Sequence, residues 1–131
     1  KYKNELDPID FKRANYIFSE NQRVQKMKLA LMENNLEEAG KLLLQAQNGY
    51  SKEYEVSLPE IDYLIQIAME HDNILGGRLM GGGFGGATLN IVAKENMEQT
   101  FEEMKKKYFA RTGINCTVEE IEVGDGVCII N

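Results

Sequence analysis

Five glycines in six positions, Gly81-Gly82-Gly83-Phe84-Gly85-Gly86, constrain this chain more than any other segment. Glycine adopts positive φ angles and lets a second backbone or a ligand come into contact, but it costs about 0.5–1 kcal/mol relative to alanine in regular structure. Consecutive exposed N–H groups can also form an anion-binding nest. The run therefore indicates close approach of a ligand or a neighbouring domain. A tight connection between two strands is the plainer alternative.

The same run contains the spacing G-x-G-x-x-G at Gly81, Gly83 and Gly86, which also occurs in dinucleotide-binding loops. Such a loop must open a helix whose N-terminus holds the pyrophosphate. Here the residues that follow, 87–93, alternate apolar and polar side chains and predict a strand. A Walker A loop is excluded because no Gly-Lys-Ser/Thr occurs. We interpret Phe84 as a packing anchor for the loop, with a base-stacking platform as the alternative.

Four helices are predicted around the loop from capping residues and helical periodicity. The first begins at Asp7 and Pro8 and runs to about Glu33, and the second begins at Asn35 and ends at Gly49. The third begins with a capping box of Ser57 and Glu60. The fourth covers about 96–112 and ends at Gly113. The first helix carries one apolar stripe, which predicts its buried face: Ala14, Ile17, Phe18, Val24, Met27 and Leu31.

Short strands are predicted at 78–80, 87–93, 115–123 and 127–130, and the third needs a bulge near Glu119 to keep its apolar residues on one face. The order is helix, helix, helix, strand, strand, helix, strand, strand. This order predicts one α+β domain over residues 1–131: a ferredoxin-like plait with a mostly antiparallel four-stranded sheet and extra N-terminal helices.

Charge and composition exclude several classes of partner. The net charge is −6 without a basic stripe, which argues against nucleic acid and anionic membranes, and no apolar run is long enough to span a bilayer. Cys116 and Cys128 are predicted to be thiols in a cytoplasmic protein, with a disulfide as the alternative. The single histidine, His71, is predicted to be a surface or capping residue. No spacing of His, Cys, Asp and Glu suggests a metal site.

A family resemblance rests on the segment from Gly76 through Ala87, Gly-Gly-Arg-Leu-Met-Gly-Gly-Gly-Phe-Gly-Gly-Ala. It resembles the third conserved motif of the GHMP small-molecule kinases, in its galactokinase form. The stretches 13–24 and 48–62 are similar to the galactokinase helix that enters this domain and to the segment before the third helix. Departures occur at Met80, where a threonine or serine is frequent, and at Tyr16, Gln47 and Ala87.

The resemblance implies that this chain is the C-terminal domain of a two-domain kinase whose N-terminal catalytic domain is absent. The absent half would supply the sugar site, the catalytic aspartate and a serine-rich phosphate loop, so no catalytic residue is expected here. Gly81, Gly82, Gly83, Phe84, Gly85 and Gly86 would support that phosphate loop from the nucleotide side. Arg78 is a candidate phosphate contact, with a structural ion pair as the alternative. ATP and magnesium are expected in the complete enzyme, and neither is expected on this chain alone.

The implied reaction transfers the γ-phosphoryl group of ATP to the anomeric hydroxyl of α-D-galactose. Three alternatives remain: another sugar kinase of the superfamily, acting on N-acetylgalactosamine or arabinose; a non-catalytic sugar-sensing relative; and a free-standing ferredoxin-like ligand-binding module. A chain that starts at Lys1 is consistent with an excised fragment. We expect the isolated chain to be inactive. We also expect an exposed apolar patch, with contributions from Phe84, Leu79 and Met80, through which the chain self-associates.

Overall fold

A computed structural model describes residues 5–122, 124 and 126 of the 131-residue chain. The elements in these residues are α1 (Pro8–Met32), α2 (Leu36–Gly49), one π-helical turn (Tyr50–Tyr54), α3 (Pro59–Ala68), β1 (Ile74–Leu79), β2 (Thr88–Val92) and α4 (Met97–Thr112). β1 and β2 pair antiparallel, with Ile74 opposite Val92 at one end and Leu79 opposite Thr88 at the other. The predicted α+β class and the antiparallel strands on either side of the glycine run are therefore confirmed.

The predicted four-stranded plait is not confirmed. Residues 115–122 lie outside any helix or strand, so the strand predicted from Asn115 was wrong for this stretch. A strand needs a neighbouring backbone to satisfy its N–H and C=O groups, and side-chain alternation alone does not reveal that neighbour. The last predicted strand, 127–130, lies outside the described residues. In the part of the chain that the structure describes, the sheet consists of β1 and β2.

The helix ends follow the predicted capping chemistry. The Asp7 carboxylate accepts a hydrogen bond from the backbone N–H of Ile9 at 2.8 Å, and the Asn35 side chain accepts one from Glu38 at 3.0 Å. Each bond satisfies an N–H group that has no partner within its helix. At the other end of the chain, α4 stops at Gly113, which is left-handed with φ 70°. These local signals set the bounds of α1, α2 and α4 within a residue or two of the prediction.

α1 buries a different face from the predicted one. Its buried residues are Tyr16, 1% exposed, and Ala30, 4% exposed, with Glu20 and Arg23 partly buried on the same side. The predicted stripe was wrong except for Met27, which is partly buried; the exposed members are Ala14, Ile17, Phe18, Val24 and Leu31. The physical reason is that the inward-facing charges are paired with each other and with β1, as described below.

The backbones of α2 and β1 are in contact at a pair of glycines. A Cβ atom built on Gly76 would lie 2.1 Å from the carbonyl oxygen of Gly40, and one on Gly40 would lie 2.2 Å from that of Leu75. Real side-chain carbons do not approach backbone atoms so closely, so only glycine fits either position. β1 begins at Ile74 and not at the predicted Arg78, because the glycines before Arg78 are contact points within the strand: Gly76 packs on α2 and Gly77 faces Asn90 of β2.

Two apolar clusters lie in this framework. One joins α3, β1 and α4 through Ile67, Ala68, Ile74, Met104 and Tyr108. The other joins α1 and α2 through Ala30, Ala39 and Leu42, with Ile91 of β2 against it. Cys116 packs against the first cluster as a free cysteine, and burial raises the pKa of its thiol. Cys128 lies outside the described residues. The hairpin of β1 and β2 is thus supported by all four helices of the described residues, and its loop lies at one end.

Candidate functional site

The glycine run forms the loop between β1 and β2. The backbone N–H of Met80 donates to the carbonyl of Ala87 at 2.9 Å, so the loop closes directly beyond the last strand pair. Four of its glycines have positive φ: Gly81, Gly83, Gly85 and Gly86. Residues that carry a side chain rarely adopt positive φ, whereas glycine adopts it without steric cost. The predicted positive-φ glycines are confirmed, and no helix follows the loop, which excludes the dinucleotide-binding hypothesis.

One face of this loop is open. A Cβ atom added at Gly81, Gly82 or Gly86 would meet no other atom within 4 Å, and all three residues are exposed. The loop is therefore not enclosed by side chains of the described residues. Phe84 is 72% exposed at a φ of 61°, so the interpretation of its ring as a packing anchor was wrong. The loop is held through its own main-chain groups, by the Val56 carbonyl and the Tyr50 hydroxyl, and the type of residue at position 84 does not reveal these partners.

The other face of the loop rests on residues 50–58. The N–H of Phe84 donates to the carbonyl oxygen of Val56 at 2.7 Å, and the Tyr50 hydroxyl donates to the carbonyl oxygen of Gly81 at 2.9 Å. Gly83 is so close to Val56 that a Cβ atom would lie 2.5 Å from the Cβ of that residue. The loop therefore has a supported side and an open side, and only the open side has room for a ligand or another domain.

Arg78, the candidate phosphate contact, makes an ion pair within the fold. Its Nη1 atom lies 2.6 Å from Oε1 of Glu20, and its Nε donates to the carbonyl oxygen of Leu79 at 3.1 Å. The guanidinium also lies over the ring of Tyr50, 4.6 Å from the centroid. The structural ion pair, the alternative expected from sequence, is thus present. A phosphate contact from Arg78 stays a prediction, and Nη1 would have to exchange its carboxylate partner to make it.

Glu20 is a residue that the sequence argument did not single out. Its second oxygen pairs with Nε of Arg23 at 2.7 Å, and Arg23 in turn lies over the ring of Tyr16 at 5.6 Å. Both side chains of this pair are less than 20% exposed. A carboxylate shared by two guanidiniums in a partly buried place is well compensated, which explains why α1 turns charged residues inward. The sequence did carry a signal for this face of α1. Glu20 follows Tyr16 by four residues and Arg23 follows Glu20 by three, which places all three on one side of a helix.

A buried amide, Gln47, fixes the end of β1 just before the loop. Gln47 is 5% exposed; its Oε1 accepts the N–H of Leu79 at 2.8 Å, and its Nε2 donates to Asp62 at 2.8 Å. Asp62 also accepts hydrogen bonds from Ser51 at 2.7 Å and Ser57 at 2.8 Å. Ser57 therefore serves this network, and the predicted capping box was wrong: α3 begins after Leu58 without a side-chain cap.

The predicted apolar patch beside the loop is present in part. Met80 is 48% exposed and Phe84 72%, whereas Leu79 is fully buried and does not contribute as predicted. Met80 and Gly81 line one end of an open groove of about 370 Å³ between α1 and the α2–β1 layer, where Val24, Met27 and Leu43 are apolar neighbours. Self-association through this surface stays a prediction.

Over residues 5–122, no three His, Cys, Asp or Glu side chains come together as a metal site would require. Within the same range, none of the helices is long and apolar enough to cross a membrane. His71, predicted to be a surface or capping residue, is partly buried, and its Nε2 atom has no hydrogen-bond partner among the described residues.

The chain is similar to C-terminal parts of known kinases. The family profile described as "GHMP kinases C terminal" matches residues 27–110. A galactokinase of Clostridium acetobutylicum is 34% identical over 125 residues, 95% of this chain and 32% of that protein. A galactokinase of Thermotoga neapolitana is 40% identical over 116 residues, 88% of this chain and 33% of that protein. The chain thus spans about a third of the length of these curated relatives.

Solved structures agree with the sequence matches. The structure of Lactococcus lactis galactokinase complexed with galactose aligns with a TM-score of 0.79 and 30% identity, covering 83% of this chain and 28% of that one. The L. major mevalonate kinase in complex with R-mevalonate aligns with a TM-score of 0.65 over 80% of this chain and 31% of that one; at 23% identity it shows a common fold alone. This chain belongs to the GHMP kinase C-terminal family.

Proposed function

We propose that this chain is the C-terminal domain of a galactokinase and that its glycine loop forms one wall of the nucleotide side of the active site. The observation that carries the proposal is the loop itself, supported on one side by residues 50–58 and open at Gly81, Gly82 and Gly86. An open glycine surface allows another backbone or a phosphate to approach to contact distance. The 34–40% identity to galactokinases supports galactose as the sugar.

In the proposed enzyme, the N-terminal domain brings the sugar, the catalytic base and most of the phosphate contacts. Phosphoryl transfer depends on positioning and on stabilisation of charge by magnesium and by donors around the phosphates. The role of Gly81–Gly86 would be to support the phosphate-binding loop of that domain, so that the γ-phosphoryl group of ATP lies in line with the anomeric hydroxyl of galactose. Magnesium and ATP belong to the complete enzyme.

A chimeric enzyme tests this function. We would replace the matching C-terminal third of the Thermotoga neapolitana galactokinase by this chain and measure galactose 1-phosphate formed from ATP, magnesium and galactose. We expect turnover above that of either part alone. A folded chimera that forms no product, beside an active parent enzyme, would contradict the proposal.

The substitution Gly82→Ala makes the test specific for the loop. Gly82 has no neighbour within 4 Å of its Cβ position and is not at positive φ, so alanine fits this chain without strain. If another domain covers the open face, the added methyl group collides there and we expect at least a tenfold loss of kcat/KM in the chimera. Gln45→Ala, at an exposed position of α2, is the matched control and should leave kcat/KM within twofold. Equal activity of the two variants would argue against the loop's proposed place.

The isolated chain should be inactive with ATP, magnesium and galactose, since the proposed catalytic groups lie in the other domain. Turnover in the usual kinase range of about 1–100 per second by the chain alone would contradict this division of roles.

A further inference from the structure

The segment that supports the glycine loop is unusual in its own backbone. α2 passes without interruption into the single π-helical turn Tyr50–Tyr54, and Glu55 then takes the left-handed conformation with φ 61° and ψ 42°. The N–H of Val56 returns to the carbonyl oxygen of Tyr50 at 2.9 Å. π-Helical turns are rare and are frequent at functional sites. Here the turn closes residues 50–56 into one compact unit, which we call the clip.

The clip holds the loop at two separated points. At one end the Tyr50 hydroxyl donates to Gly81, and at the other the Val56 carbonyl accepts the N–H of Phe84. Because Tyr50 and Val56 are themselves joined by a hydrogen bond, the two contacts cannot move independently. The distance between Gly81 and Phe84 is therefore set by the clip and not by the loop, whose glycines would otherwise allow many conformations.

The Tyr50 side chain is fixed on its other sides. Its ring lies 4.6 Å from the Arg78 guanidinium and 5.7 Å from the Tyr16 ring, centroid to centroid. Arg78 is in turn held by Glu20 of α1 at 2.6 Å. A cation over an aromatic ring and a tilted aromatic pair both stabilise one ring orientation. Tyr50 thus has its hydroxyl aimed at the loop by contacts from α1 and β1.

We propose that Tyr50 is a positioning residue and that the clip, residues 50–56, sets the geometry of the glycine loop for the phosphate side of the active site. The holding of the loop rests on this chain alone; its consequence for ATP rests on the function proposed above. As a positioning residue, Tyr50 acts through the carbonyl group of Gly81 and not through contact with a substrate.

Amide hydrogen exchange on the chain tests whether Tyr50 and the clip hold the glycine loop. Tyr50→Phe removes the hydroxyl and keeps the ring, so the fold should persist. We expect the amides of Met80 and Phe84 to exchange about two- to fivefold faster, the effect of one solvent-exposed hydrogen bond, and those of β2 to be unchanged. Tyr54→Phe is the control, because the Tyr54 ring stacks on Tyr16 at 5.1 Å within the same cluster. Unchanged loop exchange in Tyr50→Phe, or the same acceleration in both variants, would overturn the proposal.

The kinetics of the chimera test the consequence of this support for ATP. We expect Tyr50→Phe to lower kcat/KM for ATP about three- to tenfold while the KM for galactose stays within twofold, a split that general destabilisation would not produce. Faster loop exchange with unaltered ATP kinetics would overturn the proposed effect on catalysis but would still support the clip as the support of the loop. An inactive unsubstituted chimera would count against the proposed function, and the exchange data would still decide whether the clip holds the loop.

Discussion

Two glycines, Gly76 in the middle of β1 and Gly82 in the loop beyond it, lie in opposite surroundings, one densely packed and the other open. At Gly76 a methyl group would lie 2.1 Å from the backbone of α2, whereas at Gly82 it would meet nothing within 4 Å. The first glycine is required by this chain's own packing. The second has no such requirement among the described residues, as expected if the proposed N-terminal domain covers this face. Glycines that look alike in sequence are thus separated by what their missing side chain would touch.

The largest effect in this comparison should come from Gly76→Ala. The Cβ atom collides with backbone atoms of Gly40, which cannot rotate away, so the helix must separate from the strand. We expect the free energy of unfolding to fall by about 3 kcal/mol or more. Urea unfolding followed by circular dichroism measures it, with Gly82→Ala as the matched control at unchanged stability or up to about 1 kcal/mol above it. A Gly76→Ala chain with the wild-type midpoint would break the comparison.

The boundary between the two regions is the Gln47 amide, which holds Leu79, the last residue of β1. Gln47→Met keeps the volume but leaves the Leu79 N–H and the Asp62 carboxylate each short of a partner. We expect a loss of about 2 kcal/mol in the same unfolding experiment. Gln45→Met, on the exposed side of the same helix, should change stability by less than about 0.5 kcal/mol. Similar values for the two variants would show that the amide does not fix the strand end.

Within the loop, substitutions at Gly83 and Gly81 distinguish the cost of a steric contact from the cost of a positive φ. Both have positive φ, at 106° and 74°, but only Gly83 faces Val56 closely. Gly81→Ala should cost about 1 kcal/mol for its backbone conformation alone. Gly83→Ala should cost somewhat more, about 1–2 kcal/mol, and should also speed exchange of the Phe84 amide by releasing the loop from Val56. Equal exchange in the two variants would contradict a supported inner face.

The smallest effect concerns Tyr16, on which the clip's aromatic rings rest. Burial, with Glu20 nearby, raises the pKa of Tyr16 above its usual value near 10. A raised pKa in the folded state means that the protonated form is stabilised by folding, so this stability is complete below pH 10 and is lost as the pH rises beyond that. The wild type should therefore lose more stability between pH 8 and pH 10.5 than Tyr16→Phe. Identical pH profiles from urea unfolding at the two pH values would contradict the assignment.

The sequence predicted features that depend on neighbours in the chain. The caps at Asp7 and Asn35, the end of α4 at Gly113 and the hairpin around the glycine run all involve residues a few positions apart. Each has a local physical cause, a backbone group in need of a partner or a φ that only glycine adopts readily. The likeness to GHMP kinases added the expected partner and reaction, which the composition could not provide.

Features that depend on distant residues were missed. Apolar residues predicted the wrong face of α1, because Glu20 is compensated by Arg78, 58 positions away. Ser57 was assigned to a cap, but its hydroxyl donates to Asp62 and accepts a hydrogen bond from the Gln47 amide. Phe84 was expected to anchor the loop, and the anchor is the carbonyl group of Val56. In each case the deciding partner is identified by the fold and not by the residue itself.

The exposed ring of Phe84 makes the loop a reporter of its own occupancy. Proteases that cut after aromatic residues need an accessible, extendable segment, and exposed loop tips are where such nicks concentrate. Phe84 is 72% exposed between two glycines, while β1 and β2 would remain hydrogen-bonded after a single cut. A brief digestion thus records, as a band pattern on a gel, whether the open face is covered by another polypeptide.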